Sequence, residues 1–249
     1  MSRGPSAINP EAMTTQVAAV FGVGPGLGAS VARRFAREGY AVALLARGEA
    51  AAREVRTDIQ KQGGRAEVFT ADAGDAGSVS AAFSRIRAEL GAPEVLVYNA
   101  GAFHVASVLD LDPSTFEAAW RTNCLGGFLC AREVLPAMLE RGRGTLLFSG
   151  ATASLRGAAR FAGLAVGKFG LRALAQSLAR EVGPQGIHVA HVVIDGMIDT
   201  PRVRGMAPGR SASTRLSPED LAETYWQLHR QSPSVWTHEL DVRPAGEKF

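Results

Sequence analysis

The segment Val20-Phe21-Gly22-Val23-Gly24-Pro25-Gly26-Leu27-Gly28 constrains this chain more than any other. It joins a short β-rich run, residues 16–21, to a stretch of helical spacing over 28–38 with Val31, Ala32 and Phe35 on one side. Alternate glycines at a strand-to-helix corner permit positive φ and remove the Cβ atoms that would keep a phosphate off the backbone. The helix that follows offers free N–H groups and the positive end of its dipole. In a βαβ setting this is a dinucleotide-binding corner. Its candidate ligands are the backbones of Gly22, Gly24, Gly26, Leu27 and Gly28.

The remaining pattern supplies that setting. Strand-like runs at 40–45, 66–70, 95–98, 144–149 and 188–194 alternate with helical patterns at about 47–62, 76–90, 113–138, 168–182 and 218–230. The 113–138 helix is expected to break at Gly126-Gly127, and the tail 235–242 fits one last strand. Runs apolar on both faces suit a parallel sheet covered by helices on each side. The expected fold class is therefore α/β: a single Rossmann-type, doubly wound domain over residues 15–249. Residues 1–14 read as a flexible lead-in, and 197–217, rich in Pro, Gly, Ser and Arg, as a mobile substrate loop.

Composition narrows the class further. The net charge is only +3, and no basic run or basic-aromatic stripe occurs, which argues against nucleic acid. No apolar run of about 18 residues is present, so no membrane span is expected. The first residues lack the apolar core of a secretion signal, so a cytoplasmic location is expected. Cys124 and Cys130 have no metal-ligand spacing and read as buried free thiols; no metal is expected.

Two positions bear on the coenzyme. Where the second strand ends, an acidic side chain would hold the 2′-hydroxyl of NAD; Ala46 cannot, and Arg47 can pair with a 2′-phosphate. This favours NADP(H) over NAD(H). Asp72, ending the third strand, either accepts from an adenine amino group or closes a turn.

Together these residues resemble the short-chain dehydrogenase/reductase superfamily from about residue 16 onward. Gly22, Gly26 and Gly28 have its glycine spacing, and Asn99-Ala100-Gly101 resembles its Asn-Ala-Gly motif, which borders the cofactor. The resemblance implies that Asn123 is the active-site asparagine, on a helix that holds a relay water. It implies that Lys168 is the active-site lysine that binds the nicotinamide ribose. It also implies that Ile198 and Thr200, in Asp195-Gly196-Met197-Ile198-Asp199-Thr200, contact the carboxamide.

Two departures stand against these matches. Leu164 occupies the place of the family's tyrosine, four residues before Lys168, and Ala151 that of its serine. Leucine transfers no proton and alanine donates no hydrogen bond. The sequence, including the tail from Trp236 to Pro244, resembles a divergent subgroup that keeps the lysine alone. Candidate substitutes are the hydroxyls of Ser149 and Thr152, the imidazole of His104, the carboxylate of Asp195, and Lys168 itself acting through a water near Asn123. His188 and His191, three apart on a strand, should face opposite ways, and Tyr98 should be core.

Two functions follow. One is an NADP(H)-dependent oxidoreductase acting on a small-molecule carbonyl, alcohol or activated alkene. The other is a catalytically inactive NADP(H)-binding protein, a redox sensor or partner subunit. The resemblance implies a homodimer or homotetramer paired through the two long helices. The loop arginines Arg202, Arg204, Arg210 and Arg215 suit either an anionic substrate or a solvated lid.

Overall fold

The apolar runs become strands of one seven-stranded parallel sheet. The computed structural model describes residues 15–206, 209 and 211–246. Along the chain run β1 (Val17–Phe21), α1 (Leu27–Arg37), β2 (Ala41–Ala46), α2 (Glu49–Lys61), β3 (Ala66–Thr70), α3 (Ala76–Glu89), β4 (Val95–Tyr98), α4 (Pro113–Trp120) and α5 (Gly126–Arg141). Then follow β5 (Gly144–Ser149), α6 (Ala162–Val182), β6 (Ile187–Ile194), β7 (Met197–Ile198), α7 (Pro201–Met206), β8 (Arg215–Leu216), α8 (Pro218–His229) and β9 (Glu239–Val242). The strand order is β3-β2-β1-β4-β5-β6-β9, and β7 and β8 form a separate two-stranded ladder. The order reverses between β1 and β4, and in open α/β sheets ligands bind at the carboxyl edge of such a switch point.

Strand alternation splits the core into two layers. Val17, Ala19 and Phe21 of β1 pack with α3, α5 and α6, whereas Ala18 and Val20 pack with α1, α2 and α8. The pattern repeats in β5: Leu146 and Phe148 enter the first layer and Leu147 the second. Tyr98 is core, as expected. Its buried hydroxyl donates to the Thr122 carbonyl at 2.5 Å. Cys130 is buried and Cys124 partly so, both as free thiols. No helix of the described residues is long and apolar enough to cross a membrane, and no group of three or more His, Cys, Asp or Glu is placed to hold a metal ion.

Three expectations need correction. The long helical segment is not broken at Gly126-Gly127 but widened upstream into a π-turn over Arg121–Leu125. The two glycines instead let α5 pack closely: a Cβ on Gly126 would lie 2.2 Å from the Tyr98 hydroxyl, and one on Gly127 2.6 Å from Leu171. Helix α6 begins at Ala162, six residues before Lys168. Its Gly167 packs closely, since a Cβ there would lie 2.5 Å from Cβ of Asn123. The 197–217 loop contains the β7–β8 ladder and α7. Asp199 fastens it by accepting from Arg204 twice, at 2.9 Å, and pairing with Arg215 at 2.9 Å. The lead-in at 1–14 and Arg210 lie outside the described residues.

Candidate active site

The ends of β1 and β4 meet without room for side chains. Gly22 has φ +99°, and a Cβ there would lie 2.5 Å from the Ala100 nitrogen. A Cβ on Gly28 would lie 2.3 Å from the Gly22 carbonyl oxygen. Asn99 locks the corner, its Nδ2 donating to Gly22 O at 3.1 Å and its N–H to Phe21 O at 2.8 Å. Around Gly24 the space is open. Helix α1 starts at Leu27, whose side chain is buried, so only its backbone is left for a ligand. No side chain caps that helix and no acid lies in its first turn, which leaves its positive end uncompensated. This corner fits the diphosphate of a dinucleotide.

The neighbouring segments close around it. Thr200 lies against the turn, its Cγ2 2.7 Å from where a Cβ on Gly26 would stand. Its hydroxyl caps α7 by accepting from Val203 N–H at 3.2 Å. Ile198 is half-buried in β7. At the end of β2, Ala46 offers no carboxylate, and Arg47 is exposed and joins no ion pair among the described residues. Asp72 spends Oδ1 on the Gly74 N–H at 2.8 Å, the turn-closing option left open by the sequence.

Asn123 and Lys168 are brought together. Asn123 is fully buried on the π-turn, where i+5 bonding commonly marks functional positions. Its amide grips Ala102 from both ends, donating to the carbonyl at 2.9 Å and accepting from the N–H at 3.2 Å. A Cβ on Gly101 would lie 3.4 Å from Asn123 Oδ1 and 3.9 Å from Lys168 Nζ, so the loop after β4 runs across both residues. Lys168 is 6% exposed, and its ammonium donates to Ser149 O at 2.7 Å. Burial lowers its pKa to about 8.

The other candidates lie elsewhere. The Ser149 side chain points into the opposite layer, where its buried hydroxyl shares a 2.7 Å bond with Tyr225, so only its carbonyl reaches Lys168. Strand alternation is the reason. Thr152 donates to Asp195, whose other oxygen lies 3.3 Å from Arg243. Both therefore latch the loop after β6 to the sheet and to the tail. Ala151 bonds through its backbone, its N–H donating to the Ser154 hydroxyl at 3.1 Å and its carbonyl accepting from the Ser154 N–H at 2.8 Å. His104 is exposed on the loop after Gly101. Leu164 stands on α6 one turn before Lys168.

All three tyrosines of the chain are committed: Tyr98 to Thr122, Tyr225 to Ser149, and Tyr40 to His229 at 2.8 Å. Burial raises the pKa of each, that of Tyr40 to about 12.

His188 and His191 face opposite layers as expected. His188 stacks on Trp236 with centroids 4.9 Å apart. Sequence reasoning missed the setting of His191, which lies behind Gly150, fully buried, with Nδ1 3.4 Å from Glu239 Oε2. Burial pushes its pKa down to about 4. Glu239 is held by Arg172 through bonds of 2.6 and 2.7 Å, a pair that links α6 to β9. The spacing of 67 residues left no local signal of it.

Residues 16–211 match the family model described as short chain dehydrogenase. The sorbitol-6-phosphate 2-dehydrogenase of Escherichia coli is 30% identical over 213 residues, covering 84% of this chain and 82% of its own. A short-chain dehydrogenase structure from Rhodopseudomonas palustris superposes with a TM-score of 0.80 at 37% identity, over 92% of this chain and 98% of that one. A metagenomic short-chain oxidoreductase solved in complex with NADP gives 0.80 at 27% identity, over 94% and 99%.

Lys168 yields a stability test. Its pKa is about 8 in the fold against 10.5 for a solvated lysine, so between these values the unfolded chain holds more protons and stability rises with pH. Below pH 8 the full penalty, about 3 kcal/mol, is present. Lys168→Met is expected to stabilise the cofactor-free protein at pH 7 by about 1–3 kcal/mol, allowing for the lost hydrogen bond. That advantage should shrink as pH rises from 8 to 10.5 in denaturant titrations of both proteins. An advantage independent of pH would contradict the burial of a charged amine.

Proposed function

The chain belongs to the short chain dehydrogenase family, and from that membership we propose an NADP(H)-dependent oxidoreductase whose proton-transfer site is atypical. It belongs, on this reading, to a subgroup with leucine and alanine at the tyrosine and serine positions, and acts on a carbonyl, alcohol or activated alkene. The observation that carries it is the side-chain-free corner at Gly22 and Gly28 beside an uncapped helix start, with Arg47 where an acid would select NAD. The relative solved with NADP supports the coenzyme.

When bound, the dinucleotide supplies or accepts the hydride. The backbone of Gly24, Gly26 and Leu27, with the N–H groups of Gly24 and Leu27 as donors, would hold its diphosphate and the Arg47 guanidinium its 2′-phosphate. Asn99, Ala100 and Gly101 would border it, Asp72 would meet the adenine, and Ile198 and Thr200 would lie along the nicotinamide side. Lys168 would bind the ribose. With a pKa near neutrality, its ammonium can also give up a proton that a phenol gives in ordinary members. Asn123 positions the loop over that ammonium. His104, exposed three residues after Gly101 on the loop after β4, would be a second donor. Reduction of an activated alkene suits these losses best, because a carbanion-like intermediate can take its proton from solvent.

Leu164 and Ala151 also favour a second reading, a cofactor-binding protein without catalysis that acts as a redox sensor or partner subunit. In either case a second copy of the chain would cover the exposed apolar residues Trp120, Phe128, Val166 and Phe169 on α4, α5 and α6.

Three measurements test these readings. Calorimetric titration should give NADPH at least about tenfold tighter binding than NADH, with Arg47→Ala removing the preference, since one charge-assisted pair is worth about 1.5–3 kcal/mol. Equal affinities in the parent would exclude the NADP(H) assignment. With NADPH and a panel of enones and ketones, turnover by the parent supports the oxidoreductase. Turnover only after Ala151→Ser with Leu164→Tyr supports the non-catalytic reading. Light scattering should show an oligomer that Trp120→Glu with Phe169→Glu converts to monomer; a monomeric parent would refute the covered face.

A further inference from the structure

Two loops follow strands at the carboxyl edge of the sheet, residues 101–111 after β4, which begin against Lys168 at Gly101, and residues 155–161 after β5. They are tied together: Ala106 N–H donates to Arg160 O at 3.1 Å, and the Phe103 and Phe161 rings lie 5.6 Å apart. Gly101, in contact range of Lys168 and Asn123, starts the first loop two residues before Phe103. Phe161 is the N-cap of α6, three residues before Leu164. The pair therefore stands beside the position where the tyrosine is missing.

Both loops expose apolar surface next to cations. Phe103 is 52%, Val105 45% and Leu155 40% exposed. Arg156 and Arg160 are exposed on the second loop and join no ion pair among the described residues. The nearby acids are already engaged: Asp110 accepts from the Ser107 hydroxyl at 2.6 Å, and Asp112 caps α4. Arg160 is the only non-glycine residue with positive φ among the described residues, at +71°. A left-handed conformation is strained for an L-residue, and strain of this kind, held by neighbouring bonds, clusters at ligand sites.

We propose that the exposed face of the Phe103–Phe161 pair is a substrate seat for a molecule with an apolar body and an anionic end, the anion read by Arg156 and Arg160. This rests on the oxidoreductase reading above and names the substrate class for it. An apolar chain covers the aromatic pair, and a carboxylate or phosphate supplies the charge the two guanidiniums lack.

The test compares decanoate with decanol, equal in chain length and differing in charge, each titrated by calorimetry into the NADPH-loaded protein. Decanoate is expected to bind at least about tenfold more tightly, the value of one charge-assisted contact. Arg156→Gln with Arg160→Gln should remove that preference and leave decanol unchanged. Phe103→Ala should weaken both. A decanoyl-coenzyme A arm identifies the source of the anion: tighter binding than decanoate points to carrier phosphates, weaker binding to a free acid, and both support the seat. Equal affinity for the two probes, no binding of either, or a preference that survives in the arginine variant would overturn it. So would an arginine variant that changes oligomeric state yet keeps the preference, since the patch would then be a protein contact. Titrating NADPH alone separates the two claims. Failure there with the decanoate preference intact removes the oxidoreductase reading, not the anion seat.

Discussion

The structure depends on one close approach, between the backbone leaving β1 and the backbone leaving β4. Gly22 has no side chain because the Ala100 nitrogen occupies the place a Cβ would take, and Gly28 has none because the Gly22 carbonyl does. The Asn99 amide seals the contact. Since β1 and β4 flank the reversal of strand order, this contact fixes where the carboxyl edge opens. The same absence of side chains brings the amide-rich start of α1 to the floor of the opening. Stability and ligand recognition thus place the same demand on these glycines.

A second constraint is electrostatic. Lys168 is a buried ammonium with a carbonyl as its described partner and no ion pair among the described residues. Burying such a group is unfavourable, and the penalty emerges as a lowered pKa. Leu164 precedes it on α6 by one turn, so no phenol stands beside the ammonium at that position. Two carboxylates are engaged across neighbouring elements: Glu239 by Arg172, and Asp195 by Thr152 and Arg243. Those pairs join α6, the loop after β6 and the tail, so they hold the lysine's surroundings in shape.

The sheet was legible in the sequence because its strands are short, apolar on both faces and separated by helices of ordinary spacing. Residues 66–70, 95–98 and 144–149 were placed with the bounds observed. The errors lie where glycine carries a packing role in place of a breaking one. Gly126 and Gly127 look like an interruption in a one-dimensional pattern, yet each sits against a neighbouring element. Ser149 was misread for another reason. Its backbone belongs to the site and its side chain, by strand alternation, to the opposite core layer. The partners of Asp195 were not legible because Thr152 and Arg243 lie 43 and 48 residues away in sequence. Periodicity reports burial and direction, and neither reveals a partner brought in from a distant strand.

The most direct test is to follow the backbone amide resonances of Gly24, Gly26 and Leu27 as NADPH is added. A diphosphate seated on the corner would shift all three, saturating with the same affinity as the bulk titration, while amides at the amino edge of the sheet stay in place. Saturable NADPH binding that leaves these three amides unmoved would contradict a phosphate seat built from the side-chain-free corner.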